Sequence, residues 1–172
     1  MSFRVRHALP EDASTIAGVA RITWAETYRG IIPDEIQNAV LPLWYAEDRL
    51  ARAASNPASA FFVAESEDGQ VVGFAQAGPR EQAGDAELWR FYVLPEHQRK
   101  GIGRGLLRAC VAALRALGPV ARLFVQVEAE NQIGRQAYEA LGFAYVREYE
   151  DDLLGHKART CEMCLHLDGQ SG

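Results

Sequence analysis

The residues with the clearest chemical potential lie in one short run, Gln98-Arg99-Lys100-Gly101-Ile102-Gly103-Arg104. Gly101 and Gly103 lack a Cβ, so the backbone N–H groups of a turn built here can approach a ligand closely. Apolar residues then recur at helical spacing (Leu106, Leu107, Cys110, Val111, Leu114, Leu117) until Gly118-Pro119 ends the run. A helix starting at this point adds unpaired N–H donors and roughly half an elementary positive charge. Arg99, Lys100 and Arg104 add full charges. Together these groups suit a pyrophosphate. The same glycine pair also fits a plain solvated turn, so the surrounding elements matter.

Before the turn runs Leu88-Trp89-Arg90-Phe91-Tyr92-Val93, rich in aromatic and β-prone residues, which reads as a strand. The order is strand, basic glycine turn, helix. A dinucleotide fold would place G-x-G-x-x-G in the first strand–helix unit, with an acid on the next strand. Here the glycines come past the middle of the chain and the third is missing. There is no G-x-x-x-x-G-K-[ST], which disfavours a nucleoside-triphosphate loop.

Taken in order, Phe3-Arg4-Val5-Arg6 alternates as a short first strand, and Pro10-Glu11-Asp12 opens a helix striped by Ile16, Val19, Ala20, Thr23, Trp24 and Tyr28. Gly30 breaks it, Pro33-Asp34-Glu35 starts another helical segment, and Pro42 is expected to separate that from a third over 43–53. Two strands, Phe61–Ala64 and Val71–Ala75, flank the hairpin signal Glu67-Asp68-Gly69-Gln70. Leu123–Val127 is a further strand, and Asn131 is a good N-cap for a helix that Gly142 ends. Ala144–Glu150 and Thr160–Leu167 close the chain as strands around an acidic loop, Glu150-Asp151-Asp152. The pattern predicts one α+β domain over 1–168 with a mixed sheet, and a frayed tail over 169–172.

The chain has 172 residues, 48% apolar and 24% charged, enough for a single substantial core. Its net charge of −5 argues against generic nucleic-acid binding. No apolar run reaches the ~18 residues of a membrane helix, and the N-terminus lacks the apolar stretch of a secretory signal. A cytoplasmic location is the default expectation. Three cysteines give no disulfide framework. Cys161-Glu162-Met163-Cys164 spells C-x-x-C, but in a strand residues three apart face opposite sides, so no metal or redox role is expected.

Val93-Leu94-Pro95-Glu96-His97-Gln98-Arg99-Lys100-Gly101-Ile102-Gly103 resembles the acetyl-CoA signature of the GNAT N-acetyltransferases, whose core is [QR]-x-x-G-x-[GA] after a strand. A second block, Asn131 to Phe143 with Tyr138-Glu139-Ala140-Leu141-Gly142-Phe143, follows in that family's order and spacing. The resemblance implies the GNAT fold: a mostly antiparallel sheet of about seven strands with helices on both faces. It implies that the strands at 86–94 and 122–128 run parallel and splay apart to admit pantetheine. It assigns acetyl-CoA to Gln98, Arg99, Lys100, Gly101, Ile102, Gly103 and Arg104, to the backbone of Phe91, Tyr92 and Val93, and to Asn131.

Amine acetylation needs a neutral amine and a proton for the departing thiolate. An alkyl amine has a pKa near ~10.4, so neutralising it at pH 7 costs on the order of 4 to 5 kcal/mol. Glu87, eleven positions before Gln98, matches the offset at which many members carry their base, and Asp85 is the fallback. On regular alternation Glu87 shares a face with Trp89, Phe91 and Val93. Other members use a Glu at the position of Gln126, whose amide cannot act as a base. Tyr138 matches the family's general acid, a phenol able to protonate a thiolate. Trp24 and Tyr28, with Trp44 and Tyr45, are candidates for an acceptor wall that binds a cation. The expected activity is direct acetyl transfer to a small amine or polyamine. The alternatives are a protein N-terminal or lysine acetyltransferase and a non-catalytic acyl-CoA-binding module. A homodimer is left open.

Overall fold

Period-two patterns form seven strands and period-3.6 patterns five α-helices in the computed structural model, which describes residues 2–167. The strands are β1 (Phe3–His7), β2 (Ala60–Ser66), β3 (Val71–Pro79), β4 (Asp85–Val93), β5 (Arg122–Glu128), β6 (Ala144–Leu153) and β7 (His156–His166). The helices are α1 (Ala13–Thr27), α2 (Asp34–Trp44), α3 (Glu47–Ser55), α4 (Ile102–Leu117) and α5 (Gln132–Ala140). One sheet runs β1-β2-β3-β4-β5-β7-β6. Its pairs are antiparallel except β4 with β5, whose strand–turn–helix–strand connection through α4 makes them parallel.

Each face of the sheet buries its own core. On one side Leu106, Cys110 and Leu114 of α4 pack on Ala75, Leu88, Leu123 and Val125. On the other, Ile16, Val19 and Trp24 of α1 and Leu50 of α3 pack on Phe61, Val63 and Phe74. Strands central to such a sandwich read as near-continuous apolar runs, as β3 does.

Three expectations are corrected. Pro42 does not separate two helices, since α2 runs through it to Trp44. It stands one turn from the helix end, and Tyr45 N–H still reaches the Leu41 carbonyl at 2.9 Å, so little is lost. The acids Glu150, Asp151 and Asp152 belong to β6, not to a loop: Asp151 pairs with Ala158 and Asp152 with Lys157. The turn is Leu154-Gly155, both at positive φ as a two-residue hairpin requires, and exposed charges suit an edge strand. Third, the β3–β4 register shifts between Gln76 and Ala77, so β4 carries a bulge at Trp89. The bulge resets the alternation. Phe91 and Val93 join Ala86 and Leu88 on the α4 side, while Glu87 points to the α1 side with Tyr92. Cys161 lies in the α4-side core beside Met163, and Cys164 alternates away from it, as the spacing implies.

Candidate active site

β4 and β5 pair from Asp85↔Arg122 to Leu88↔Val125 and then part, although β4 continues to Val93 and β5 to Glu128. β4 still pairs with β3 beyond that point, so the β5-facing backbone edge of Phe91–Val93 is left without a strand partner among the described residues. An extended ligand chain could pair there as an added strand.

The basic turn closes this gap at one end. Arg99 and Gly101 both adopt positive φ, 62° and 84°, flanking Lys100. For Arg99 this is an uncommon and costly conformation. Such alternation turns successive N–H groups into a concave nest that suits an anion. Among the described residues, the backbone N–H groups from Arg99 to Arg104 find no protein acceptor; Gly105 is the first to bond back, to the Gly101 carbonyl at 3.1 Å. The two glycines differ in purpose. A Cβ on Gly101 would meet no clash, its nearest neighbour being a Phe3 ring carbon at 4.0 Å, so Gly101 is there for its φ; one on Gly103 would press on the Phe91 ring at 3.1 Å, so Gly103 is there for packing. Gln98 Nε2 donates to the Val93 carbonyl at 3.0 Å, pinning the turn to the end of β4.

Of the expected carboxylates, Asp85 accepts two hydrogen bonds from Arg122, at 2.8 and 2.7 Å. Glu87 is paired with Arg80 at 3.0 Å and receives a longer contact from Gln126 at 3.4 Å. Beneath them lies Glu162, buried on β7, bonded by Gln126 (2.8 Å), Arg80 (2.9 Å) and Arg147 (3.2 Å). Burial pushes the Glu162 carboxyl up, but these three donors outweigh it and hold it below the ordinary range. The folded protein thus binds this proton less readily than the unfolded chain does. The stability it contributes is complete above an unfolded value of about 4.5 and is lost as pH falls through the lower folded value. Glu162→Gln is expected to cost about 1–3 kcal/mol at neutral pH. Thermal melts of both proteins should converge as pH falls below the folded value; a gap that stays constant with pH would remove the carboxylate from this role.

Tyr138, on α5, packs its ring between Phe91 (centroids 5.9 Å) and Phe143 (5.4 Å), on the α4 side of the parted strands. Burial raises its phenol, which keeps it protonated and able to donate. Asn131 caps α5, its Oδ1 accepting from Gly134 N–H at 2.9 Å. Among the described residues the Asn131 amide N–H₂ has no hydrogen-bond partner. Gly134 is part of the cap, since a Cβ there would lie 2.4 Å from Asn131 Nδ2.

On the opposite face a pocket of about 430 Å³ opens where the strands part. Trp24 from α1, Tyr28 just past its end, and Trp44 and Tyr45 at the end of α2 wall it. Trp24 is also core: it is 3% exposed and its Nε1 donates to Tyr92 Oη at 3.1 Å. Arg90 closes that wall, donating to Gln76 Oε1 and the Trp44 carbonyl and lying 5.2 Å from the Tyr45 ring centre. The opposite wall comes from the ends of β5, β6 and β7, including Glu128, Tyr149 and Asp151. Trp89 and Glu128 are among the lining residues that the sequence reading did not assign to this pocket. Trp89 lies over Gly78, because the bulge turns it there; a Gly in a strand is the signal that something approaches closely. Glu128 shares the Gln126 face by period two, but nothing local marks it off from Glu130.

The basic turn and Asn131 therefore lie at the parted ends of β4 and β5, Glu87 and Asp85 lie back within the paired stretch, and Tyr138 and the aromatic pocket take opposite faces. Among the described residues no helix is long and apolar enough to cross a membrane. The acetyltransferase (GNAT) family matches residues 16–143. The chain is 40% identical over 139 residues to an uncharacterized N-acetyltransferase, YuaI, of Bacillus subtilis, covering 78% of each chain. It is 30% identical to a spermidine N(1)-acetyltransferase of Thermoplasma acidophilum, covering 83% of this chain and 89% of that one. The crystal structure of a PaiA N-acetyltransferase from Thermoplasma acidophilum, in complex with coenzyme A, superposes with a TM-score of 0.76 at 28% identity, over 94% of this chain and 98% of that one. With the seven-stranded sheet and the strand–turn–helix expected from the sequence both in place, the chain belongs to the GNAT family of N-acetyltransferases.

Proposed function

We propose that this enzyme transfers the acetyl group of acetyl-CoA directly to the primary amine of a small amine or polyamine. The observation that carries the reading is the aromatic-walled pocket set against the gap between β4 and β5, on the face opposite Tyr138. The turn over Arg99–Arg104 would take the pyrophosphate and the free edge of Phe91–Val93 the pantetheine, bringing a thioester to that gap. The rings of Trp24, Tyr28, Trp44 and Tyr45 line this pocket and would offer aromatic and apolar area to an alkylammonium chain. An amine entering from the pocket would meet the carbonyl carbon from one side. The thiolate would leave toward Tyr138 on the other. The spermidine acetyltransferase relative supports an acceptor of this class. All three cysteines are buried, and none stands at a motif position, which favours direct transfer over an acyl-enzyme.

Thiol release from acetyl-CoA against spermidine, short alkyl diamines, an aminoglycoside and peptides tests this. Turnover is expected with the small amines. Turnover confined to peptides would replace the acceptor class, and CoA binding without release across the panel would make the chain an acyl-CoA-binding module.

A further inference from the structure

An alkyl amine arrives as an ammonium ion, so the reaction needs a carboxylate free to receive a cation and a proton. Most carboxylates near the parted strands are already committed: Asp85 to Arg122, Glu87 to Arg80, and Glu162 to Arg80 and Arg147. A carboxylate already paired with a guanidinium attracts a second cation weakly. Glu87 is also absent from the pocket lining, whereas Glu128 and Asp151 belong to it; Asp151 is exposed on the edge strand β6, and Glu128 is half-buried at the end of β5 beside the gap. Among the described residues Glu128 forms no ion pair, and it accepts a long 3.4 Å hydrogen bond from Glu130 N–H.

Its placement is as specific as its freedom. Glu128 lies three residues past Val125, where pairing with β4 ends, and two past Gln126, on the face that looks into the pocket. Tyr138 stands on the other face of the same gap. The charged and titratable groups around Glu128 are Glu130 beside it, His156 at the start of β7, the Tyr28 phenol just past the end of α1, Asp151 and Tyr149 on the pocket wall from β6, and the Arg90 guanidinium on the wall from β4. Burial raises the Glu128 carboxyl above the ordinary range, with the nearby Glu130 charge adding to it, against the opposing pull of the Glu130 N–H and, less, of His156. The Tyr28 phenol lies within electrostatic reach of both Glu128 and Tyr138, which ties acid, carboxylate and aromatic wall to one locality.

We propose that Glu128 receives the ammonium group of the acceptor in this pocket and takes the proton that must leave before attack. The assignment rests on the acetyl-transfer reading above. An R–NH₃⁺ group gives one proton to the Glu128 carboxylate, and the freed nitrogen lone pair forms the C–N bond at the thioester carbonyl. The C–S bond breaks, and the sulfur keeps its electron pair and is protonated by Tyr138. The second proton lost by nitrogen restores the Tyr138 phenol through water, and Glu128 returns its own proton to solvent. The balance is one amide, one CoA thiol and one released proton per turnover.

Wild-type thiol release with a small amine tests the acetyl-transfer reading, and the variants test Glu128. Glu128→Gln is expected to lower kcat/KM by about 10²- to 10⁴-fold near neutral pH. The deficit should shrink as pH approaches the amine's own pKa, and acetyl-CoA affinity by calorimetry should stay unchanged. Glu128→Asp should recover part of the rate, and Glu87→Gln should lose less than about tenfold. Calorimetry of the amine with the CoA-loaded protein supplies a readout that needs no turnover: Glu128→Gln should weaken binding about tenfold. Near-wild-type kinetics and amine binding in Glu128→Gln would overturn the assignment. So would a loss that does not vary with pH, or a large pH-dependent loss in Glu87→Gln instead.

Discussion

Tyr138→Phe is expected to lower kcat by about 10²- to 10⁴-fold while leaving acetyl-CoA affinity nearly unchanged. The substitution removes one oxygen and keeps the ring between Phe91 and Phe143, so the packing of α5 survives. Among the described residues the Tyr138 hydroxyl carries no side-chain hydrogen bond, so its loss leaves no buried partner unsatisfied. Burial raises the phenol, which means that it remains a proton donor across the working range and is not lost to ionisation. The proposed need for a proton at sulfur can be varied independently. A thioester whose thiol is more acidic needs less help and should lose less rate in the variant. Near-wild-type kcat with chemistry rate-limiting, or equal losses for both thioesters, would return Tyr138 to a packing role and leave water as the proton source.

Gly101→Val is expected to abolish measurable CoA binding, at least about a hundredfold weaker by calorimetry, in a protein that still folds. The damage travels through the backbone, since a Cβ at Gly101 would find its nearest neighbour, a Phe3 ring carbon, at 4.0 Å. At φ +84° an L-residue pays roughly 1–2 kcal/mol, and a β-branched one pays more. A domain with stability of order 5–15 kcal/mol tolerates that strain or relaxes it by rotating the peptide. Rotation turns the donors between Arg99 and Ile102 out of the nest, and these are the groups proposed to grip the pyrophosphate. Gly101→Ala should fall between the two. Binding by Gly101→Val within threefold of wild type, with its circular dichroism and melting temperature retained, would move the pyrophosphate elsewhere.

Local chemistry determines much of this protein directly from its sequence. The strand before Gln98, the turn and the amphipathic α4 depend on neighbours in the chain, so spacing and residue type were enough to place them. The same holds for the Asn131 cap and for the opposed faces of Cys161 and Cys164, which follow from helix-end chemistry and period two. The motif match named the family because both blocks are short and keep a fixed separation. What spacing could not supply depends on partners far away in sequence. The bulge at Trp89 arises from register against β3, and it moves Phe91 and Val93 away from the Glu87 face. Glu150–Asp152 read as a loop by composition, and became strand because β7 supplies backbone partners for them. The carboxylates show the division most plainly. Asp85, Glu87 and Glu128 look equally able to act as bases along the chain, all three on strands that border the gap. Which of them is free is decided by guanidinium groups from Arg80 and Arg122, brought in by the β3–β4 connection and by β5. Ion pairing is a contact through space, so only the tertiary structure leaves Glu128 and the more exposed Asp151 as the pocket carboxylates that hold no ion pair among the described residues.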